Sequence, residues 1–390
     1  VFLMVDSLRT GGSERQFAAL AQALDPSAFA LHLGCLRKAG GFATALGEIA
    51  EFGLGGSLYG WQSIRTRLRL ARYLRRSKIA VAHAFDFYTN LLLIPVARMI
   101  GVPVIGSLRQ LGDLLTPAQW RAQCAAFRWC DRVVSNSNAA AERLIASGLP
   151  QGKVQVIGNG LAPEYFARVA PALPRRSDVL RVGMVARMNT RDKNHRNLLG
   201  AVARLQPRFP GLELVLVGDG PLRPELEDAA RSLGLGDGVR FLGDRRDVPA
   251  VLASVDVSAM PSDSESLSNA ILESMAAGVP VVATRVGGNP ELIAEDRGLL
   301  VLPRDEGALS GAIARLLEDG GLRASFGEAG RRFALANFTM ERMRVRHEKL
   351  YRELLVRKGW RPRAEVKTGR AAGTGQAARE EKVTRAVVKG

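Results

Sequence analysis

A chain of 390 residues is long enough for two domains of ordinary size, and an apolar content of 47% marks it as globular. A net charge of +17 admits nucleic acid, an anionic membrane or phosphorylated small molecules as partners and does not choose among them. No apolar stretch reaches the roughly 18 residues of a membrane helix, and the nearest, 91–105, is cut by Pro95, Arg98, Gly101 and Pro103. No cleavable leader is visible, although the chain opens on Val1 in a strand-like run, which weakens any argument about N-terminal targeting. Three cysteines, Cys35, Cys124 and Cys130, are too few and wrongly spaced for a zinc or disulfide framework and fit a reducing cytosol.

Strand-like apolar runs alternate with helical patterns from end to end, as in parallel α/β sheets. The first half predicts strands at 2–5, 30–36, 79–83, 102–107, 132–135 and 154–157, with helices at 13–23, 64–76, 89–99, 117–129 and 138–147. The second half predicts strands at 180–186, 212–217, 239–242, 255–260, 279–284 and 298–301, and a last long helix at 339–356. The fold class is therefore α/β, with two doubly wound Rossmann-like domains, 1–165 and 180–337, facing an interdomain cleft. Pro171, Pro174 and the charged run 175–178 mark 166–179 as a hinge linker. The helix within 338–358 is a candidate for crossing back to the first domain. Residues 359–390 read as a disordered basic tail; its segment 361–390 holds eight basic and three acidic side chains, a net +5 that leaves +12 on the rest.

Candidate ligand loops follow predicted strands. Gly11-Gly12, at the opening of the first helix, lets backbone amides approach a phosphate closely, or is simply a tight turn. It is not a dinucleotide fingerprint. His83 and Asp86 follow the third strand and Arg109 the fourth, where they would face the first-domain side of the cleft or serve as structural loop residues. Arg187 and Lys193 sit in the loop after the strand that opens the second domain, where a guanidinium fork and an ammonium point charge suit a diphosphate. His195, beside them, reads as structural. Routine α/β turns follow at Gly218-Asp-Gly-Pro221 and at 241–247, the latter able to put backbone groups beside a nucleobase. Glu265 and Glu273 flank the start of a helix in the run 261–280. There the helix amides would hold a phosphate while the carboxylates accept hydrogen bonds from hydroxyls on either side. Two exposed glutamates on an amphipathic helix would look the same in isolation.

Taken in order, Gly11-Gly12-Ser-Glu-Arg, Asn159-Gly160, Arg187 with Lys193, Gly218-Asp-Gly-Pro, Glu265-x7-Glu273, and Ala276-Ala-Gly-Val-Pro-Val-Val with Gly287-Gly288 resemble the group 1 (family 4) retaining glycosyltransferases of GT-B architecture. The resemblance covers roughly residues 1–355. It implies that Gly11 and Gly12 contact a donor diphosphate through backbone, that Arg187 and Lys193 neutralise it, and that Glu265 binds the transferred sugar. It also implies phosphate contacts from the amides of Leu267, Ser268 and Asn269, and a ribose diol held by Glu273. The family commonly has Gly-Phe after its first glutamate; Ser266-Leu267 stands here, which puts the sugar pocket in doubt.

The function this implies is retaining transfer of a sugar from a nucleoside diphosphate, UDP most commonly and GDP next, to a glycan or lipid-linked acceptor in cell-surface polysaccharide or lipopolysaccharide synthesis. Asp263-Ser264-Glu265 imitates a metal motif but lies in the glutamate loop, so the expectation is no metal and no cofactor. The segment 63–79, with Arg65, Arg67, Arg69, Arg72, Arg75, Arg76 and Lys78 beside Ile64, Leu68, Ala71 and Leu74, predicts either a helix that meets an anionic membrane surface or a solvated surface helix. The expected location is the cytoplasm, with peripheral attachment to the inner face of the cell membrane as an option. Alternatives are an inverting transferase or epimerase on the same scaffold and a non-catalytic nucleotide-sugar binder. Nucleic acid is not an expected partner, because zinc-finger, RNA-binding aromatic and basic-zipper signatures are missing from the sequence.

Overall fold

The computed structural model describes residues 1–9, 11–41, 46–54, 58, 60–357 and 359; the basic tail lies almost wholly outside them. The first sheet and its helices run β1 (Phe2–Ser7), α1 (Gly12–Ala23), β2 (His32–Arg37), β3 (Ala50–Glu51), α2 (Trp61–Arg76), β4 (Ala82–Ala84), α3 (Phe87–Met99), β5 (Val104–Leu108), α4 (Pro117–Arg128), β6 (Arg132–Ser135), α5 (Asn138–Ala146) and β7 (Val154–Val156). The second runs β8 (Leu180–Val185), α6 (His195–Leu205), β9 (Leu212–Val217), α7 (Arg223–Ser232), β10 (Val239–Phe241), α8 (Val248–Leu252), β11 (Val257–Met260), α9 (Asn269–Ala276), β12 (Val281–Thr284), α10 (Asn289–Leu292), β13 (Gly298–Val301), α11 (Glu306–Glu318) and α12 (Gly320–Asn337). A last helix, α13 (Met340–Arg357), follows.

The strand orders are β3-β2-β1-β4-β5-β6-β7 and β10-β9-β8-β11-β12-β13. The ladders are parallel, with Phe2 paired to both His32 and Ala82, and Val182 to both Leu214 and Val257. Winding therefore reverses between β1 and β4 and again between β8 and β11. Ligand crevices form at the carboxyl ends of strands where this happens. These are the two doubly wound α/β units that the alternation predicts. The two-residue strand β3 was not foreseen, because Ala50–Glu51 is too short for a readable pattern.

The sequence builds these layers in simple steps. Successive residues of β1 point to opposite faces, so Phe2 and Met4 join one core with Leu92 and Phe127. Leu3 and Val5 join the other with Phe17. That second core is completed by Met343, Leu350, Tyr351 and Leu354 of α13, which returns from the far domain to cover the first. The return is pinned where Leu161 N–H donates to Phe338 O at 2.7 Å and Met340 N–H to Leu161 O at 2.9 Å. Residues 172–175 lie along the second domain, with Leu173 N–H bonded to Ser254 Oγ and Arg175 paired to Asp256.

Helix α2 corrects one expected face. Ser63, Thr66, Leu70 and Leu74 face the core. Ile64 and Leu68 lie on the outside with Trp61, at 46%, 49% and 65% exposure. Thr66 can turn inward because its hydroxyl donates to Gly53 O at 2.6 Å. Among the described residues no helix is long and apolar enough to cross a membrane.

Candidate functional site

Loops from both reversal points line one cleft of about 440 Å³ between the domains. Gly11, Gly12 and Arg109 line it from the first domain, and Arg187, Lys193, Glu265, Leu267, Ser268, Asn269 and Glu273 from the second. Gly12 begins α1, whose free amide end opens toward this space. A Cβ on Gly12 would lie 3.1 Å from Asn269 Nδ2, so the small residue lets the domains approach closely.

On the second wall, Lys193 closes a short 3₁₀ turn that ends at Asn194 in the left-handed region, φ 56° and ψ 42°. Asparagine enters that region at lower cost than most side chains. Its Nδ2 is tied to Asp263 Oδ1 at 3.2 Å. The turn delivers the Lys193 ammonium to Glu265 Oε1 at 2.7 Å, and Ser262 Oγ donates to the same oxygen at 3.0 Å. Burial works against the Lys193 charge, but Glu265 and then Asp192 outweigh it and raise its pKa. The Glu265 loop is held from behind by Gly287-Gly288. Cβ atoms there would fall 1.7 Å from Glu265 O and 1.9 Å from Ser266 O, and Gly287 has φ +47°. No side chain fits.

Glu273 is different. It is 1% exposed in the middle of α9, and its partner is Arg15 from the first domain. Burial pushes its carboxyl upward, opposed by the Arg15 guanidinium. Helix α9 begins at Asn269, capped by Ser268, so Glu273 stands little more than one turn inside it. Glu14, three residues after Gly11, also lines the cleft. Its pKa is raised by burial, against the fields of Arg187 and Arg109. Enclosure lowers Arg109 to about 10, and its Nη2 donates to Asn159 Oδ1 at 2.6 Å. Asn159 Nδ2 in turn donates to Asn269 Oδ1 at 2.7 Å, linking the domains.

His83 and Asp86 are corrections: neither lines the cleft. His83 is fully buried on β4, bonded to Tyr351 OH at 2.9 Å and Ser107 Oγ at 2.8 Å, and burial holds it well below its usual pKa. Its side chain points to the face that α13 covers. Asp86 caps α3, accepting from Thr89 N–H and Asp6 N–H, and burial raises its carboxyl to about 7. His195, read as structural, is buried.

Sequence reasoning missed the residues that join the walls. Arg15 stood inside the Gly-Gly-Ser-Glu-Arg run but was read as part of a helix opening. Glu291 of α10 accepts from Asn138 N–H, Asn138 Nδ2 and Ala139 N–H at 2.8–2.9 Å, so it caps the first-domain helix α5. Ser266 departs from the family pattern, and its hydroxyl reaches Asn136 Oδ1 at 2.5 Å and Ser137 Oγ at 3.1 Å. The added hydroxyl thus binds across the domain gap.

Residues 10–165 match glycosyltransferase family 4, and residues 179–319 match the glycosyl transferases group 1 family. The chain belongs to this glycosyltransferase family. It is 35% identical over 237 residues to the lipopolysaccharide core biosynthesis glycosyltransferase LpsE of Rhizobium meliloti, covering 60% of this chain and 66% of that one. It is 30% identical over 266 residues to the GDP-mannose-dependent α-(1-6)-phosphatidylinositol monomannoside mannosyltransferase of Mycolicibacterium smegmatis, covering 63% and 69%. Both alignments thus span about two thirds of the curated relative's own length. The crystal structure of Anabaena HepE in complex with UDP-glucose superposes with a TM-score of 0.78 at 22% identity, covering 90% of this chain and 99% of that one. This likeness extends the glycosyltransferase GT-B fold over both domains.

Proposed function

We propose that the protein transfers a sugar from a nucleoside-diphosphate donor to a glycan or lipid-linked acceptor, with retention of anomeric configuration and without a metal ion. The observation that carries this reading is the convergence of Arg187, Lys193, Glu265, Glu273 and the α1 amide end on one cleft. In this reading Arg187 and Lys193 face the diphosphate, whose negative charge grows as the glycosyl–oxygen bond breaks. Preorganised cations and amides then stabilise the transition state more than the bound donor. The acceptor hydroxyl attacks the anomeric carbon from the face the diphosphate leaves, and a departing phosphate oxygen takes its proton. Glu265 accepts hydrogen bonds from the sugar, and Glu273 from the ribose.

The metal-free reading is supported by the partners of the acidic loop. Asp263 is paired to Arg304 and bonded to Asn194, while Glu265 is paired to Lys193, so the two carboxylates serve different cations. The named relatives favour cell-surface glycan or lipopolysaccharide synthesis as the setting. A peripheral membrane site is supported by α2, where exposed Trp61, Ile64 and Leu68 lie among exposed Arg65, Arg69, Arg72, Arg75 and Arg76. The experiment is a thermal-shift panel of UDP, GDP and their sugars, followed by transfer assays with NMR of the product anomer. Stabilisation by one nucleotide series and turnover in EDTA with a retained anomer are expected. An inverted anomer, or activity restored after EDTA only by manganese, rejects the mechanism. Equal binding to neutral and anionic vesicles rejects the electrostatic membrane site.

A further inference from the structure

Arg15 lies in the first turn of α1, three residues beyond Gly12, and its N–H makes the first helical bond to Gly11 O at 3.0 Å. Its guanidinium crosses the cleft to Glu273 and approaches Tyr165 OH at 3.4 Å. The adjacent Gln16 fixes the same end of α1: its Oε1 accepts from Gly160 N–H at 2.9 Å, and its Nε2 donates to Gly160 O at 3.1 Å. The same Nε2 lies 3.4 Å from Asn269 Oδ1, one turn before Glu273 on α9. The glycine turn of the first domain and the buried carboxylate of the second are therefore connected through four consecutive residues of α1.

A carboxylate with 1% exposure and no cation beside it is driven toward its protonated form by burial. As a protonated acid it would lose much of its capacity to accept hydrogen bonds from a diol. The groups facing it are few. Tyr165 is neutral, its phenol pushed up to about 12 by burial. Arg331 of α12 donates to Ala276 O and Phe166 O, at the other end of α9. Glu291 of α10 is turned to α5. The neighbouring Ser258 and Ser274 of β11 and α9 carry no charge. Arg15 is the cation placed to offset the burial of Glu273.

We propose that Arg15 is a positioning residue that keeps Glu273 ionised toward the donor's ribose and draws the Gly11–Gly12 turn onto the same nucleotide. The proposal rests on the donor reading above and adds a dependence of nucleotide affinity on a residue of the opposite domain. The test is calorimetric binding of UDP and GDP from pH 6 to pH 9. It uses the native protein, Arg15→Met, Arg15→Lys, Glu273→Gln and the Arg15→Met/Glu273→Gln pair, with a thermal melt for each.

Without the guanidinium the Glu273 carboxyl titrates at higher pH, so Arg15→Met should weaken binding at least tenfold at pH 6.5. The penalty should narrow as pH rises and Glu273 ionises. The nucleotide's own ionisation is common to both proteins and cancels in the ratio. Arg15→Lys should recover most of the loss, and Arg15→Met should add less than threefold in the Glu273→Gln background. A ratio of native to Arg15→Met affinity that stays flat with pH, or near one, overturns the proposal. A general loss of packing would also give a flat ratio, with lowered melting in both Arg15 variants. If neither nucleotide binds the native protein, the donor reading itself fails and this proposal falls with it.

Discussion

Glu265 and Glu273 sit on opposite sides of a helix start with seven residues between them, yet they are held in opposite ways. Glu265 is paired within its own domain, to Lys193 and Ser262, on a loop pressed forward by Gly287-Gly288. Its side-chain partners both belong to its own domain. Glu273 is buried deeper, and its cation arrives from the first domain. One carboxylate is built into a rigid wall; the other reports on the separation of the walls. The contrast fits the proposed division of labour, in which Glu265 and Lys193 would serve the reacting centre and Glu273 nucleotide capture.

The sharpest way to break this contrast is Lys193→Ala. Loss of a preorganised charge at the leaving group should lower kcat about 100- to 1,000-fold, with a smaller change in donor KM, in initial-rate assays with the donor found by the panel. Equal effects on kcat and nucleotide affinity would erase the division of labour. Glu273→Ala comes next. Losing hydrogen bonds to a charged group should weaken UDP or GDP binding about 10- to 100-fold by calorimetry, with kcat at saturating donor much less affected.

Glu291→Gln sharpens the comparison from the seam. It keeps the shape but removes the charge that caps α5, a change of about 0.5–1 kcal/mol. The expected result is a larger radius of gyration by X-ray scattering and a donor KM raised a few-fold. The last effect, on stability alone, concerns His347, which is buried on α13 and lowered by that burial to about 4. An unfolded histidine titrates near 6.5, so unfolding takes up a proton between these values. The stabilisation is complete above pH 6.5 and is lost as pH falls toward 4, about 2 kcal/mol by pH 5. His347→Gln should flatten the fall of Tm between pH 7 and pH 5, measured by calorimetry.

Much of the fold was legible because its strands are buried on both faces and stand out as short apolar runs. The runs at 132–135, 212–217 and 298–301 coincide with β6, β9 and β13. Strand β3 has no such run. Arg187, Lys193, Glu265 and Glu273 could be named because each follows a strand and the set keeps its order along the chain. His83 misled because the apolar run 79–83 placed it at the end of a strand; it is the middle residue of β4, on the side of the sheet that α13 covers, and that side was not readable. Arg15, Asn159 and Glu291 act across the cleft, at sequence separations of 258, 110 and 153 residues from their partners. Local pattern carries no information about pairings at such distances.

The path of α13 has a consequence for how the molecule is made. Leu350, Tyr351 and Leu354 are core residues of a domain whose first strand starts at Phe2. During synthesis that strand waits with one face only partly covered, by α1, until almost the whole described chain has left the ribosome. The second domain, whose buried core ends at Ala334 with Phe338 packed against it, can close earlier. The domain translated first is thus the last to finish folding, and chaperone contact during translation should concentrate on its unshielded face.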